Sequence, residues 1–106
     1  MESKSPYNIG VFIIKVINLG QAELVRKINH ESERIHNLSY KFHDSKEFRK
    51  NGSVQYLQQL RNLRYFLASR RLPVSRSPEE KGLYRKIAEK LIAKGEWPPS
   101  VLVNLD

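Results

Sequence analysis

Residues 20–38, GQAELVRKINHESERIHNL, decide which fold the chain adopts. Their apolar side chains recur at intervals of four, seven and three positions, at Leu24, Ile28, Ile35 and Leu38. This spacing fits the inner face of one straight amphipathic helix, and it also fits two shorter helices that meet at a turn near Asn29. Because no proline or glycine forces a break there, the stretch predicts a single long helix.

The segment GQAELVRKI, residues 20–28, also resembles the start of the helix-turn-helix of phage repressors, which often begins with Gln-Ala-Glu-Leu. The resemblance covers about 20 residues and implies that a second helix, after Asn29, would read DNA. Two positions depart from that pattern. Val25 stands where alanine or glycine is usual, and His30 stands where an apolar residue usually closes the turn. A bend at Asn29 would thus indicate a transcription factor, and a straight helix would indicate another kind of module.

The N-terminal side of this stretch predicts one more helix, over residues 6–18. Ser5 and Pro6 are typical of a helix start, and a helical stripe of apolar residues follows. Val11 and Ile14 lie off that stripe, so the helix would be apolar over much of its circumference. The run VFIIKVI is rich in β-branched residues, which leaves a buried strand as the competing prediction.

The C-terminal side predicts two helices. The pair Asn51-Gly52 signals a turn, and an apolar stripe over residues 53–71 follows it. Ser77 and Glu80 have the spacing of a capping box at the start of a last helix, which Gly95 would end. Ser77 also lies in the sequence SRSP, where a phosphate would meet nearby arginines, although a plain N-cap is the simpler role.

The predicted fold is all-α, a small bundle of about four helices in one domain spanning residues 1–106. An extended C-terminal tail, residues 96–106, would dock on the bundle, because Trp97-Pro98-Pro99 opposes further helix and the remainder is apolar. The predicted helices cover residues 6–18, 21–43, 53–71 and 78–94.

The composition excludes several classes of protein and of binding site. The chain has 106 residues and no cysteine, which suits one modest core and excludes disulfides, iron–sulfur clusters and thiolate zinc sites. No apolar run approaches the roughly 20 residues that a membrane helix needs, and the N-terminus lacks the pattern of a cleaved leader. The expected location is the cytoplasm, or a nucleoid or nucleus, without a membrane partner.

No pattern of catalytic residues is recognisable. The chain has no cysteine, no G-x-S-x-G nucleophile elbow and no glycine-rich phosphate loop. His36 and His43 share a helical face but lie about 10 Å apart along it, too far to hold one metal, and His30 lies on another face. The sequence therefore predicts a non-enzymatic protein with no metal and no cofactor.

The distribution of charge predicts a polyanion as partner. The net charge is +8, and residues 53–76 contain five arginines and no acid. Arginine matches phosphate with paired donors, and an exposed aromatic ring stacks on bases. The first hypothesis is a small nucleic-acid-binding or regulatory protein, with DNA or RNA as partner; the simpler alternative is a basic surface that only solvates the chain. The predicted contact residues are Arg61, Tyr65, Arg70, Arg71, Arg76, Lys81, Arg85 and Lys86.

The alternative hypothesis is a helical adaptor or assembly factor that binds an acidic protein. Its contacts would come from the apolar excess of the first helix or from the tail WPPSVLVNL, and homodimerisation through these segments is equally open. Exposure of the first helix would favour this alternative, and arginines gathered on one acid-free surface would favour nucleic acid. The residues predicted for this contact are Val11, Ile14, Trp97, Val101 and Val103.

Overall fold

A computed structural model describes residues 7–41, 52–74 and 78–105. Within them the chain forms helices and no strand, which confirms the predicted all-α bundle. None of the described helices is long and apolar enough to span a bilayer. The helices are α1 (Ile9–Val16), α2 (Gln21–Lys41), α3 (Ser53–Ser69), α4 (Pro78–Ala93) and α5 (Ser100–Asn104). The predicted features at Ser5, Pro6, His43, Asn51, Arg76 and Ser77 lie outside the described residues.

Helix α2 runs without interruption from Gln21 to Lys41. The predicted long helix is therefore confirmed, and the bend implied by the resemblance to phage repressors is wrong. Asn29 continues the helix with an exposed side chain, while Ile28 and Ile35 on the inner face are fully buried. The physical reason is that nothing at this position breaks the helix, and its whole apolar face packs against α3.

Helix α1 begins later than the sequence predicts and ends earlier, at Val16. Its N-cap is Asn8, whose backbone is extended and whose side-chain Oδ1 accepts a hydrogen bond from the Val11 N–H at 3.1 Å. The Asn8 cap satisfies a donor that the first turn leaves unpaired, so the helix starts here. The alternative of a strand in this segment is wrong.

The core lies where α1, α2, α3 and α4 meet. Helix α3 provides its centre, because one of its faces is buried over the whole length of the helix. The Phe66 ring lies 4.8 Å from the Tyr84 ring and 5.5 Å from the Trp97 ring, measured between centroids. Aromatic groups of this size contribute much of the buried apolar area in a small domain.

Helix α4 ends as predicted, at a glycine in the left-handed region. Gly95 has φ of 78°, and its N–H donates to the Ile92 carbonyl at 2.9 Å. The Glu96 N–H donates to the Leu91 carbonyl, also at 2.9 Å. This pair of bonds is a Schellman motif, which satisfies the last carbonyls of the helix.

The C-terminal segment docks on the bundle, but part of it is helical where the sequence predicts an extended tail. Ser100–Asn104 form α5, and Pro99 takes the N-cap position. Prolines are compatible with the start of a helix, where no intrahelical N–H bond is required, so they precede α5 without preventing it. Val101 and Leu105 are buried in the core.

Gln21 takes part in three hydrogen bonds, two of which join the C-terminal segment to the start of α2 and one of which joins α2 to α3. The Gln21 backbone N–H donates to Glu96 Oε1 at 2.8 Å, and Trp97 Nε1–H donates to Gln21 Oε1 at 2.6 Å. Gln21 Nε2 in turn donates to the Leu67 carbonyl at 3.0 Å. Glu96 thus caps the N-terminus of α2 from 75 residues away. We call these three bonds the Gln21 clasp.

Candidate nucleic-acid interface

The predicted cations Arg70, Arg71 and Lys81 meet at one groove of about 840 Å³. The two arginines follow the C-terminal end of α3, and Lys81 comes from the first turns of α4. Polar side chains of α3 and α5 and five apolar or proline residues complete the wall, and none of the described lining residues is acidic. We call this the basic groove; its polar lining residues besides the three cations are Ser69, Ser100 and Asn104.

Arg70 is positioned in the basic groove by the way α3 ends. It is the C-cap, with φ of 60° and ψ of 26°, and its N–H donates to the Phe66 carbonyl at 2.7 Å. Its guanidinium lies 5.3 Å from the centroid of the Trp97 ring. This is a cation–π contact, and an arginine that stacks flat on a ring keeps its in-plane N–H donors for an anion.

Ser69 fixes the backbone that carries Arg71. The Ser69 hydroxyl donates to the Tyr65 carbonyl at 2.8 Å and accepts the Arg71 N–H at 3.1 Å. The Ser69 hydroxyl therefore satisfies the Tyr65 carbonyl and the Arg71 N–H where the helix ends. Arg71 is exposed at the groove as a result.

Arg61 and Tyr65 lie outside the basic groove, on the exposed face of α3. Tyr65 is 50% exposed. Arg61 borders a smaller depression of about 250 Å³ between α2 and α3, where Arg64 and Glu33 are also found. Arg64 is exposed, and within the described residues it forms no ion pair with α2.

The predicted residues of α4 are all exposed, but they do not all face the groove. Lys81 also borders a second depression of about 220 Å³, which Arg85 lines as well. Arg85 Nε lies 3.7 Å from Glu89 Oε2 one turn later. Lys86 borders neither depression. Arg85 is thus next to the basic groove, and Lys86 is not part of it.

The residues predicted for a protein partner separate into two groups. Val11, Ile14 and Val103 are exposed, by 44%, 71% and 74%. Trp97 and Val101 are only 2% and 3% exposed, so assigning them to a partner surface is wrong. They are buried because α5 folds back and packs its apolar side into the core.

A second groove, of about 450 Å³, lies between α1 and α2 and was not predicted. Its apolar lining includes Val11 and Phe12, and its charged lining consists of Lys15, Lys27 and the ion pair of Glu31 with Arg34. Within the described residues neither lysine forms an ion pair. The groove thus combines an apolar wall with available positive charge.

A polar cluster that also lines this groove joins α2 to α3. Arg34 Nε and Nη2 donate to the two carboxylate oxygens of Glu31 at 3.0 Å and 2.9 Å, and the Tyr56 hydroxyl donates to Glu31 Oε2 at 2.6 Å. Burial alone would raise the pKa of Glu31, but the bonds from Arg34 and Tyr56 lower it by more, so the pKa of Glu31 is below its usual value. Burial and the neighbouring Glu31 raise the pKa of Tyr56.

Histidine does not build a metal site in the part of the chain that the structure describes. His30 and His36 are both exposed on α2. Residues 7–41, 52–74 and 78–105 contain no group of three or more side chains placed to hold a metal ion.

Comparisons with protein-family models, with curated proteins and with solved structures find no match to this chain. Its function is therefore inferred from the two grooves and the exposed face of α3.

Proposed function

We propose that the protein binds nucleic acid without catalysing a reaction and holds phosphates in the basic groove. The observation that supports this most is the convergence of Arg70, Arg71 and Lys81 on one groove whose described lining has no acid. Such a site attracts a polyanion at long range and binds it through charge-assisted hydrogen bonds. Its setting would be the cytoplasm or a compartment that contains nucleic acid.

The groove offers the donor types that a phosphate diester needs. Arginine presents paired N–H donors that match two phosphate oxygens, and lysine adds a compact point charge. Ser69, Ser100 and Asn104 supply neutral donors around them. Because the Trp97 ring holds the Arg70 guanidinium in place, less side-chain entropy is lost when the phosphate binds.

Arg76 is included in the proposal as a prediction, because it lies in the linker between Arg71 and α4, outside the described residues. Arg85 extends the same positive region along α4, since Lys81 borders both depressions.

The test is fluorescence anisotropy with a labelled duplex DNA and a labelled structured RNA, from low to moderate salt. The wild type should bind, and log K should fall linearly with log salt concentration. Arg71→Ala/Lys81→Ala should weaken binding and reduce the salt slope by up to about 1.8, since each lost phosphate contact contributes about 0.9.

The matched control is Lys90→Ala/Lys94→Ala, which removes the same charge from exposed positions at the other end of α4. It should change the slope much less than the groove variant. Equal losses in the two double variants would contradict a localised site. Absence of binding by the wild type at low salt would refute nucleic acid as the ligand.

A second candidate function is supported by the exposure of Val11 and Ile14. We infer that an acidic amphipathic segment of another protein would cover this face, with its carboxylates near Lys15 and Lys27. A second copy of the chain fits less well, because each copy carries a net charge of +8 and would bring its own lysines to the contact.

The second candidate is tested with a labelled helical peptide of leucine, alanine and glutamate, and with its glutamine counterpart. The acidic peptide should bind more tightly, and Val11→Ser/Ile14→Ser should weaken it while Val54→Ser, an exposed valine on α3, should not. Binding that is unchanged in the α1 variant would refute this surface. Sedimentation of the wild type at several concentrations tests the alternative that a second copy of the chain covers this surface.

A further inference from the structure

Tyr65 is the one large aromatic side chain of α3 that the core does not use. Its ring is 50% exposed, whereas Tyr56 and Phe66 on the same helix are buried. Within the described residues it stacks on no other ring. An exposed tyrosine offers a flat apolar face at low entropic cost, which is the property used in binding bases.

Tyr65 lies in a row of side chains that leads into the basic groove. Arg61, Tyr65 and Ser69 are four residues apart, so they are neighbours along one ridge of the helix surface. Ser69 lines the groove and bonds both the Tyr65 carbonyl and the Arg71 N–H. We call this row the Arg61–Ser69 ridge; it connects a cation, an aromatic ring and the phosphate-binding groove in that order.

Helix α3 contributes charge of one sign to this path, while Glu33 of α2 also lines the depression beside Arg61. Residues 52–74 contain no aspartate or glutamate, so no acid of α3 itself competes for Arg61 or repels a phosphate near the ridge. A strand whose backbone follows Arg61 and the groove would therefore pass over the Tyr65 ring. Backbone-tracking charge with an aromatic platform is the arrangement that single strands require.

A duplex would use this surface less well. Its bases are paired and stacked inside, so a side chain that lies flat on a helix surface does not reach a base face without unstacking it. The straight α2 also provides no separate recognition helix for a major groove. Resting on the function proposed above, we propose that the protein binds single-stranded nucleic acid, with an unpaired base stacked on Tyr65.

The length of the path sets the size of the site. Arg61 and Arg70 are nine residues apart, about 14 Å along a helix at about 1.5 Å per residue. At about 3.4 Å per nucleotide of a stacked strand this corresponds to about four nucleotides. Affinity should rise steeply from two to about five thymidines and slowly beyond.

The experiment compares labelled dT12 and rU12 with a 12-base-pair duplex at one low salt concentration, for the wild type, Tyr65→Ala, Tyr65→Phe and Val54→Ser. The wild type should bind the single strands more tightly than the duplex. Tyr65→Ala should weaken single-strand binding by about 5- to 150-fold, the range for loss of one stacked base, and should change duplex binding less than about twofold. Tyr65→Phe keeps the ring and Val54→Ser removes another exposed apolar side chain, so both should bind like the wild type.

The outcomes separate this inference from the proposed function. If duplex and single strand bind equally, or if Tyr65→Ala binds single strands like the wild type, the stacking role is refuted. Arg71→Ala/Lys81→Ala still tests the basic groove in that case. If no oligonucleotide binds the wild type, the proposed function fails, and the single-strand preference fails with it.

Discussion

Arg70 has a left-handed backbone conformation, which glycine adopts more readily than any other residue. It has φ of 60°, while Gly95 takes the equivalent left-handed position after α4 with φ of 78°. The left-handed region costs a non-glycine residue about 1–2 kcal/mol, and an exposed cation–π contact such as the one with Trp97 returns about 0.5–1 kcal/mol. Stability alone therefore does not favour arginine here, and the proposed contact of its guanidinium with phosphate would supply a reason for it.

This strain leads to a first prediction, on stability. Arg70→Gly should be more stable than Arg70→Ala by about 1 kcal/mol, because both lose the contact with Trp97 and only alanine keeps a Cβ in the left-handed region. The measurement is urea unfolding followed by circular dichroism. An alanine variant as stable as the glycine variant would show that this backbone is not strained. Both variants should lose affinity for single strands.

The second prediction concerns Glu31 at acid pH. Its pKa is lowered in the folded protein from an ordinary value of 4.5, so its stabilising contribution is complete above that value and is lost as the pH falls through the lowered pKa. The free energy of unfolding should decline below about pH 4.5 in the wild type and decline less in Glu31→Gln. Glu33→Gln, an exposed change on the same helix, is the control and should keep the wild-type slope.

The third prediction concerns Tyr56 at alkaline pH, the other end of the dependence of stability on pH. Its pKa is raised in the folded state above the ordinary 10.0, so its contribution is present below that value and is lost at higher pH, as the unfolded chain ionises first. Stability should fall above about pH 10, and it should fall less steeply in Tyr56→Phe. A Tyr56→Phe variant with the wild-type alkaline slope would contradict the buried, neutral phenol.

At the scale of elements, α2 offers the sharpest contrast between two interpretations of one sequence. Asn29 lies in the middle of α2 with an exposed side chain, and asparagine is a poor helix former at such a position. Asn29→Ala should therefore raise the stability by up to about 0.7 kcal/mol. In a bent helix-turn-helix the same change would place alanine in a left-handed turn and lower the stability. Thermal unfolding at neutral pH distinguishes the two signs.

The elements themselves were predictable because their signals are local. The apolar spacing of residues 24–38 predicted α2, and Gly95 predicted the end of α4, since each acts within a few residues. The start of α1 was misplaced because Ser5-Pro6 and Asn8 offer similar N-cap chemistry. The tail was misjudged because prolines oppose a helix only when they lie inside it.

At the scale of the whole molecule, the sequence predicted the basic groove only in part. The run of arginines indicated a positive surface. Arg61, however, lies on the exposed face of α3, and Arg71 lines the groove beyond the end of that helix. This separation depends on where the helix ends. The bond from Tyr56 to Glu31 and the stacking of Arg70 on Trp97 join residues 25 or more positions apart. Pairings of this kind depend on packing and have no local signal.

The Gln21 clasp supports a prediction at this scale. A Cβ on Gly20 would lie 2.6 Å from Glu96 Oε2, so Gly20→Ala should displace the carboxylate that caps α2. The loss should be about 0.5–2 kcal/mol, the usual value of an N-cap. In a Glu96→Ala background the same change should cost much less, because the cap is already gone. Additive losses in this double-mutant cycle, measured by urea unfolding, would contradict the coupling.

The Gln21 clasp also affects the order in which contacts form during synthesis of the chain. Gln21 and Glu96 are separated by 75 residues, and at about 5–20 residues per second roughly 4–15 s pass between their synthesis. We expect α2 and α3 to pair through their apolar faces during that interval, while the first turn of α2 still lacks its cap and Phe66 lacks its contact with Trp97. A chain of this fold therefore reaches its final stability only after Trp97 has left the ribosome, and a nascent chain stalled before that point should remain open to proteases at the start of α2.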